Sequence, residues 1–151
     1  MLDEFARQVI ARFPAGFTAT VDANGAPMVS PKGTFLVLDD TRIGFAHIRS
    51  PGTLANLAHE PRVEVNFLDP FLRKGVRVAG VSEVHVRGSA GFDALVGIWA
   101  ETWPSLAERI QALVVIEVTK YQVFTTPPYD DGALEDEMVA LYRAKYAEIY
   151  P

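Results

Sequence analysis

Two stretches of this chain place polar groups where a small anionic ligand could be held. The first reads Ala46-His47-Ile48-Arg49-Ser50-Pro51-Gly52-Thr53-Leu54-Ala55-Asn56-Leu57. A strand pattern ends near His47, and Leu54, Leu57 and Ala58 then fall on one helical face, so a helix starts inside the stretch. The start of a helix carries unpaired N–H groups and a partial positive charge, which suits a phosphate. Ser50 and Thr53 add hydroxyl donors, Gly52 keeps the turn small, and Arg49 supplies a fixed charge. A purely local reading competes with this: Ser50 caps the helix and Pro51 occupies its first position.

The second stretch is Val29-Ser30-Pro31-Lys32-Gly33-Thr34, which interrupts two strand-like runs with a lysine and a glycine. Gly33 would let the backbone approach a flat ring. Lys32 could meet a phosphate or a polarised ring edge. The competing reading is a β-bulge bearing an exposed lysine.

Other chemistry is sparse. His47, His59 and His85 show no metal-ligand spacing, so no metal site is expected. There is no Gly-x-Ser-x-Gly elbow, no P-loop and no Gly-x-Gly-x-x-Gly after a strand. Glu83, Glu101 and Glu117 form no arguable acid–base couple, and no catalytic side chain is assigned. The chain has no cysteine, which excludes disulfides, thiolate metal sites and cysteine nucleophiles. That composition fits a cytoplasmic protein.

The elements that must position these residues follow from length and pattern. A chain of 151 residues predicts one domain over 1–151. A net charge of −5 and a pI near 5.1 argue against a general nucleic-acid binder. The acidic start Met1-Leu2-Asp3-Glu4-Phe5 does not read as a signal peptide. No apolar run approaches the ~18 residues of a membrane span, so no membrane partner is expected.

Residues 1–13 predict an amphipathic helix stopped by Pro14-Ala15-Gly16. Short strands follow at 17–21, 26–31, 35–38 and 42–48. Asn24-Gly25 marks a hairpin turn, because both central positions need positive φ. Together these predict a meander of a small antiparallel barrel spanning 17–124. A helix is predicted over 50–59 and a strand over 62–68. Gly80, inside a long strand at 76–87, suggests a bulge or a close backbone approach. A helix at 92–102 carries Trp99, which with Trp103 reads as a core or subunit contact. The strand at 112–124 is apolar enough in its first half to suggest that a second subunit covers it. A final amphipathic helix is predicted over 133–150.

The order Arg42-Ile43-x-Phe45-Ala46, Ser50-Pro51-Gly52-Thr53-Leu54-Ala55-Asn56-Leu57, Glu60-Pro61-Arg62-Val63 and then Gly80 in a long strand resembles the pyridoxamine 5′-phosphate oxidase-like superfamily. The likeness is nearest to its small FMN-binding and general-stress-type members. It implies a mainly β fold with flanking helices, an FMN-binding split β-barrel of Greek-key-like antiparallel strands, and a homodimer with flavin between the subunits. It implies that Ser30, Pro31, Lys32, Gly33 and Thr34 contact the cofactor, as do the backbones of Ala46 and His47. Thr53 and Asn56 match polar positions of the phosphate-binding turn and helix. Gly52 stands where many members carry a basic residue, so Arg49 and Lys32 become the candidate phosphate partners.

The Arg-x-His segment of true pyridoxamine phosphate oxidases is missing, so vitamin B6 oxidation is not expected. The resemblance implies an FMN-dependent oxidoreductase exchanging electrons with a small-molecule donor or acceptor, the chemistry residing in the flavin. A non-catalytic FMN-binding electron carrier, or a deazaflavin- or haem-binding relative on the same barrel, is the alternative. One fold hosts several functions.

Overall fold

Asp3 opens the first helix: its carboxylate accepts the Ala6 N–H at 2.7 Å, and apolar spacing behind it buries Ala6, Val9 and Ile10. This helix, α1 (Glu4–Arg12), is the first element of a computed structural model that describes residues 1–151. The strands are β1 (Gly16–Val21), β2 (Pro27–Lys32), β3 (Leu36–Val37), β4 (Arg42–His47), β5 (Arg62–Asp69), β6 (Lys74–Val86) and β7 (Ala112–Phe124). The other helices are α2 (Pro51–His59), α3 (Ala90–Thr102) and α4 (Glu135–Ile149). A hairpin turn forms at Asn24-Gly25, but only Gly25 adopts positive φ, at +80°, so the expectation that both central positions would do so is corrected: the Gly25 N–H donates to the Asp22 carbonyl, and the Asp22 carboxylate accepts from the Asn24 and Ala26 N–H groups and holds the chain without it.

All strand pairs are antiparallel, in the order β2-β1-β5-β6-β7-β4-β3. The expected meander therefore breaks after β2. The chain leaves one edge of the sheet, crosses through residues 33–35, and re-enters at the opposite edge as β3. The β5-β6-β7 run then places β7 beside β4, a Greek-key arrangement. The sheet curls but its hydrogen bonding does not close into a true barrel, so of the expected split β-barrel the mainly antiparallel sheet with flanking helices is present without closure. The physical reason lies in the two edges. Pro27 and Pro31 leave β2 without two ladder donors, and β3 is only two residues long.

Inside the curl, Phe35 packs on Phe45 and edge-on against Phe67, with centroids 5.1 and 4.9 Å apart. The buried face of α1 plugs this core alongside Val65, Val76 and Val78. A second cluster joins Phe92 and Trp99 of α3 to Ala46, Ile110 and Leu113. Residues 112–116 are all buried within their own chain, Val114 and Ile116 in the first cluster and Leu113 in the second. Their apolar character thus needs no second subunit, which removes one argument for the dimer.

Gly80 meets both expectations. The β6–β7 register shifts between Ala79 and Gly80, and a Cβ there would run into the Glu117 carbonyl. The terminal helix is less buried than its pattern predicts. Only Met138 is fully covered, while Leu134, Leu141 and Ile149 stay exposed. Tyr146 anchors α4 to the β5–β6 turn through an edge-on contact with Phe71 and a hydrogen bond donated to the Pro70 carbonyl. No helix is long and apolar enough to cross a membrane.

Candidate functional site

Lys32 ends β2 opposite Gly16, on the face that looks into the core. It is 7% exposed, and its ammonium nitrogen is buried without a hydrogen-bond partner. The reading of an exposed bulge lysine is therefore wrong: alternation along a regular β2 turns this side chain inward. The Nζ atom sits 6.0 Å from the centroid of the Phe45 ring, a cation–π contact that offsets only part of its lost hydration. Burial pushes the Lys32 ammonium below its ordinary pKa.

Two residues beyond Phe45, alternation directs His47 to the same side of β4. It is 9% exposed. Burial first, and the Lys32 charge second, hold its imidazole below the ordinary value. Two buried basic side chains, one from β2 and one from β4, thus act on each other through charge.

Thr34 and Ala46 hold that region in shape. The Thr34 hydroxyl accepts the Ala46 N–H at 2.9 Å and lies 3.1 Å from the Ala46 carbonyl, to which it donates. Trp99 adds a third link, its indole N–H donating to the Thr34 carbonyl at 2.8 Å. In this arrangement Thr34 and Ala46 act on each other and set the position of the residues beside them. Sequence reasoning missed Trp99 as a positioning group. A buried tryptophan needs an acceptor for its N–H, and that was the available signal.

Helix α2 begins four residues after His47, within about 14 Å along even a fully extended chain. Ser50 makes no side-chain capping bond, so the local reading of that serine does not hold, although Pro51 does occupy the first turn. Thr53 is buried on the inner side of α2. One turn later Asn56 is buried too, donating to the Thr20 hydroxyl at 3.0 Å and lying 3.3 Å from the Met28 sulfur. Asn56 therefore ties α2 to the β1–β2 hairpin.

Arg49, Gly52, Pro31 and Gly33 are exposed, and Ser30 and Ser50 half-buried. A Cβ at Gly33 or Gly52 would meet nothing within 4 Å, so both turns leave room for a ligand. The sequence-predicted residues divide accordingly. Lys32, His47 and Thr53 are recessed basic and hydroxyl groups, Thr34, Ala46 and Asn56 are bonded within the chain, and Arg49 stands at the rim. Two surface clefts, about 500 and 630 Å³, are lined by other residues, of the sheet, α3, the end of α2 and the turns beside them.

The sequence pattern of the pyridoxamine 5′-phosphate oxidase family matches residues 2–127. None of the curated proteins compared matches the chain. Several solved structures share its fold. HupZ of Group A Streptococcus is 23% identical, with a TM-score of 0.72 over 83% of this chain and 96% of that one. An FMN-binding protein of Syntrophomonas wolfei is 18% identical, with a TM-score of 0.65 over 80% and 84%. General Stress Protein 26 of Bacillus anthracis is 16% identical, with a TM-score of 0.57 over 78% and 92%. With its family pattern matched over most of its length and its split antiparallel sheet shared with these structures, the chain belongs to the pyridoxamine 5′-phosphate oxidase family of the FMN-binding split β-barrel superfamily.

Proposed function

We propose that this chain is an FMN-binding oxidoreductase that exchanges electrons with a small molecule. The observation that carries the reading is the buried, unpartnered Lys32 ammonium, whose charge acts on His47. A buried cation without a partner is costly, and an anionic ligand group would supply the missing counter-charge. FMN brings such a group in its phosphate, so the residues present fit the cofactor.

The phosphate is held by Lys32, the Thr53 hydroxyl, the first N–H groups of α2 and Arg49 at the rim. These compensate for the small residue at Gly52. The open turns at Gly33 and Gly52, with Ser30 and Pro31 on β2 next to the first of them, leave the ring room beside the backbone. Thr34, Ala46 and Asn56 keep β4 and α2 in register around it. When bound, the flavin supplies the electron transfer, and the protein supplies binding, orientation and charge. No side chain need act as a nucleophile. A second copy of the chain completes the site against the exposed outer face of the sheet.

The test is an absorbance spectrum of the purified protein before and after incubation with FMN and removal of the excess. Flavin bands retained near one FMN per chain are expected. Steady-state assays with nicotinamide donors and small acceptors then separate an oxidoreductase from an electron carrier. A protein that retains no flavin, or shows a Soret band instead, would overturn the reading.

A further inference from the structure

We infer that the cleft between α1, the β5–β6 turn and α4 binds a small organic anion, a carboxylate or phosphate ester carried on one flat apolar ring, with Arg12 and Arg143 gripping the anionic group. None of its residues belongs to the proposed flavin site, so the two assignments are independent.

The cleft has a volume of about 290 Å³, and its walls come from three elements. Arg12 ends α1, Arg143 stands on α4, and both exposed side chains border the cleft. The apolar lining is made by Phe13, Phe71, Leu72 and Val139, all half-buried. The Phe13 and Phe71 ring centroids lie 6.3 Å apart, and Tyr146 fixes Phe71 from the far side by an edge-on contact at 5.3 Å. Asp69 is the one carboxylate that borders the cleft, and it is only 2% exposed. One of its oxygens accepts the Phe71 and Leu72 N–H groups at 2.9 Å, and the other lies 3.3 Å from Arg12 Nη1.

These surroundings select the ligand. Arg143 enters no ion pair within the chain, and Arg12 meets Asp69 through one nitrogen at a long 3.3 Å. The guanidinium N–H groups left over match the paired oxygens of a carboxylate or a phosphate. Two guanidiniums against one buried carboxylate leave the cleft positive, although the whole chain carries −5. Tyr142, next to Arg143, extends the excess, with Arg73 4.7 Å and Lys145 5.7 Å from its ring centroid. A bare inorganic anion would engage the arginines and leave the phenylalanine and valine surface in water. A ligand that also carries an apolar ring covers that surface and gains its burial. A cleft of about 290 Å³ is at the small end of ligand sites, so it suits one ring and not the fused rings of a flavin. Such a ligand bridges α1 to α4, a helix with only Met138 fully buried.

The experiment records amide proton–nitrogen NMR spectra of the full chain with saturating FMN as phenyl phosphate is added to millimolar concentration. Saturable shifts are expected at the Phe71, Leu72, Val139 and Arg143 amides. Benzoate should move the same amides, and neutral benzyl alcohol should move none. Arg143→Gln should weaken phenyl phosphate at least about tenfold, as on losing a charge-assisted hydrogen bond, and Arg143→Lys should restore part of the loss. Unchanged amide positions elsewhere show that both variants keep the fold. Inorganic phosphate binding as tightly as phenyl phosphate would remove the role of the ring and overturn the proposal. So would shifts that do not saturate, that fall only around Lys32 and α2, or that survive Arg143→Gln unchanged. If the chain retains no FMN, the same titration of the free chain decides the proposal, and the flavin reading falls by itself.

Discussion

Lys32 carries a positive charge into a region where nothing in the chain answers it, and that placement should cost the free protein stability. Lys32→Met keeps the length of the stem and removes the charge. We expect the variant, free of ligand, to be more stable by about 1–3 kcal/mol at neutral pH, since a buried unsatisfied donor is relieved. The sign with pH follows from the lowered titration of the lysine. Between that lowered value and the ordinary 10.5, the unfolded chain holds a proton that the folded chain has lost. The unfolded state binds more protons there, so stability rises with pH across the window. The advantage of the variant should therefore shrink as pH approaches 10.5, and thermal melts from pH 7 to 10.5 measure it. The same variant should bind FMN tens-fold more weakly, as expected on losing a charge-assisted hydrogen bond of about 1.5–3 kcal/mol. A variant less stable than the parent, with unchanged affinity, would mean that Lys32 serves packing alone.

Helix α2 and strand β4 owe their mutual placement to a few cross-chain bonds. Asn56 reaches from α2 to Thr20 on β1, and Trp99 reaches from α3 to the Thr34 linker. Asn56→Ala strands the buried Thr20 hydroxyl and should cost about 1–3 kcal/mol in urea denaturation. It should also weaken FMN binding several-fold, because the first turn of α2 is no longer held over the β1–β2 hairpin. Trp99→Phe keeps most of the ring packing and loses the N–H, so about 1 kcal/mol is expected. Gly80→Ala tests the β6–β7 crossing. Its Cβ has no space beside the Glu117 carbonyl, and backbone cannot swing aside as a flexible side chain can. A loss of about 1–3 kcal/mol or more is expected from such overpacking, read from the urea midpoint at constant m.

At the scale of the molecule, the two edges of the sheet are poor places to associate, one interrupted by prolines and the other very short. The outer face is different. Phe17 is 52% exposed and Val29 67%, on the face opposite the core at the β1–β2 end of the sheet. Apolar side chains of this size on a face call for a partner surface. We expect a homodimer in sedimentation at micromolar concentration, and dissociation to monomers in the pair Phe17→Lys and Val29→Lys. A parent protein that sediments as a monomer would remove the second copy from the proposed site. The apolar first half of β7 no longer argues for that copy, since the chain covers it with α3 and its own core.

What the sequence determined by itself is what depends on neighbouring residues. The Asn24-Gly25 hairpin, the helix starting at Pro51, the run 112–124 of β7 and the special demand on Gly80 all come from spacing, φ preference or local hydrogen bonding, and all appear in the structure. The two stretches around Lys32 and Thr53 were legible as polar interruptions of apolar patterns. What only the tertiary structure decided is how distant segments meet. Nothing local says that the chain crosses from β2 to the far edge of the sheet, or that Thr34 bonds to Ala46 and Trp99 to Thr34. Nor does any local pattern tell a solvated lysine from Lys32, because the difference is made by Phe45 and His47 arriving from elsewhere in the chain. Burial is a property of the assembled fold, and here burial turns an ordinary lysine and histidine into a candidate anion site.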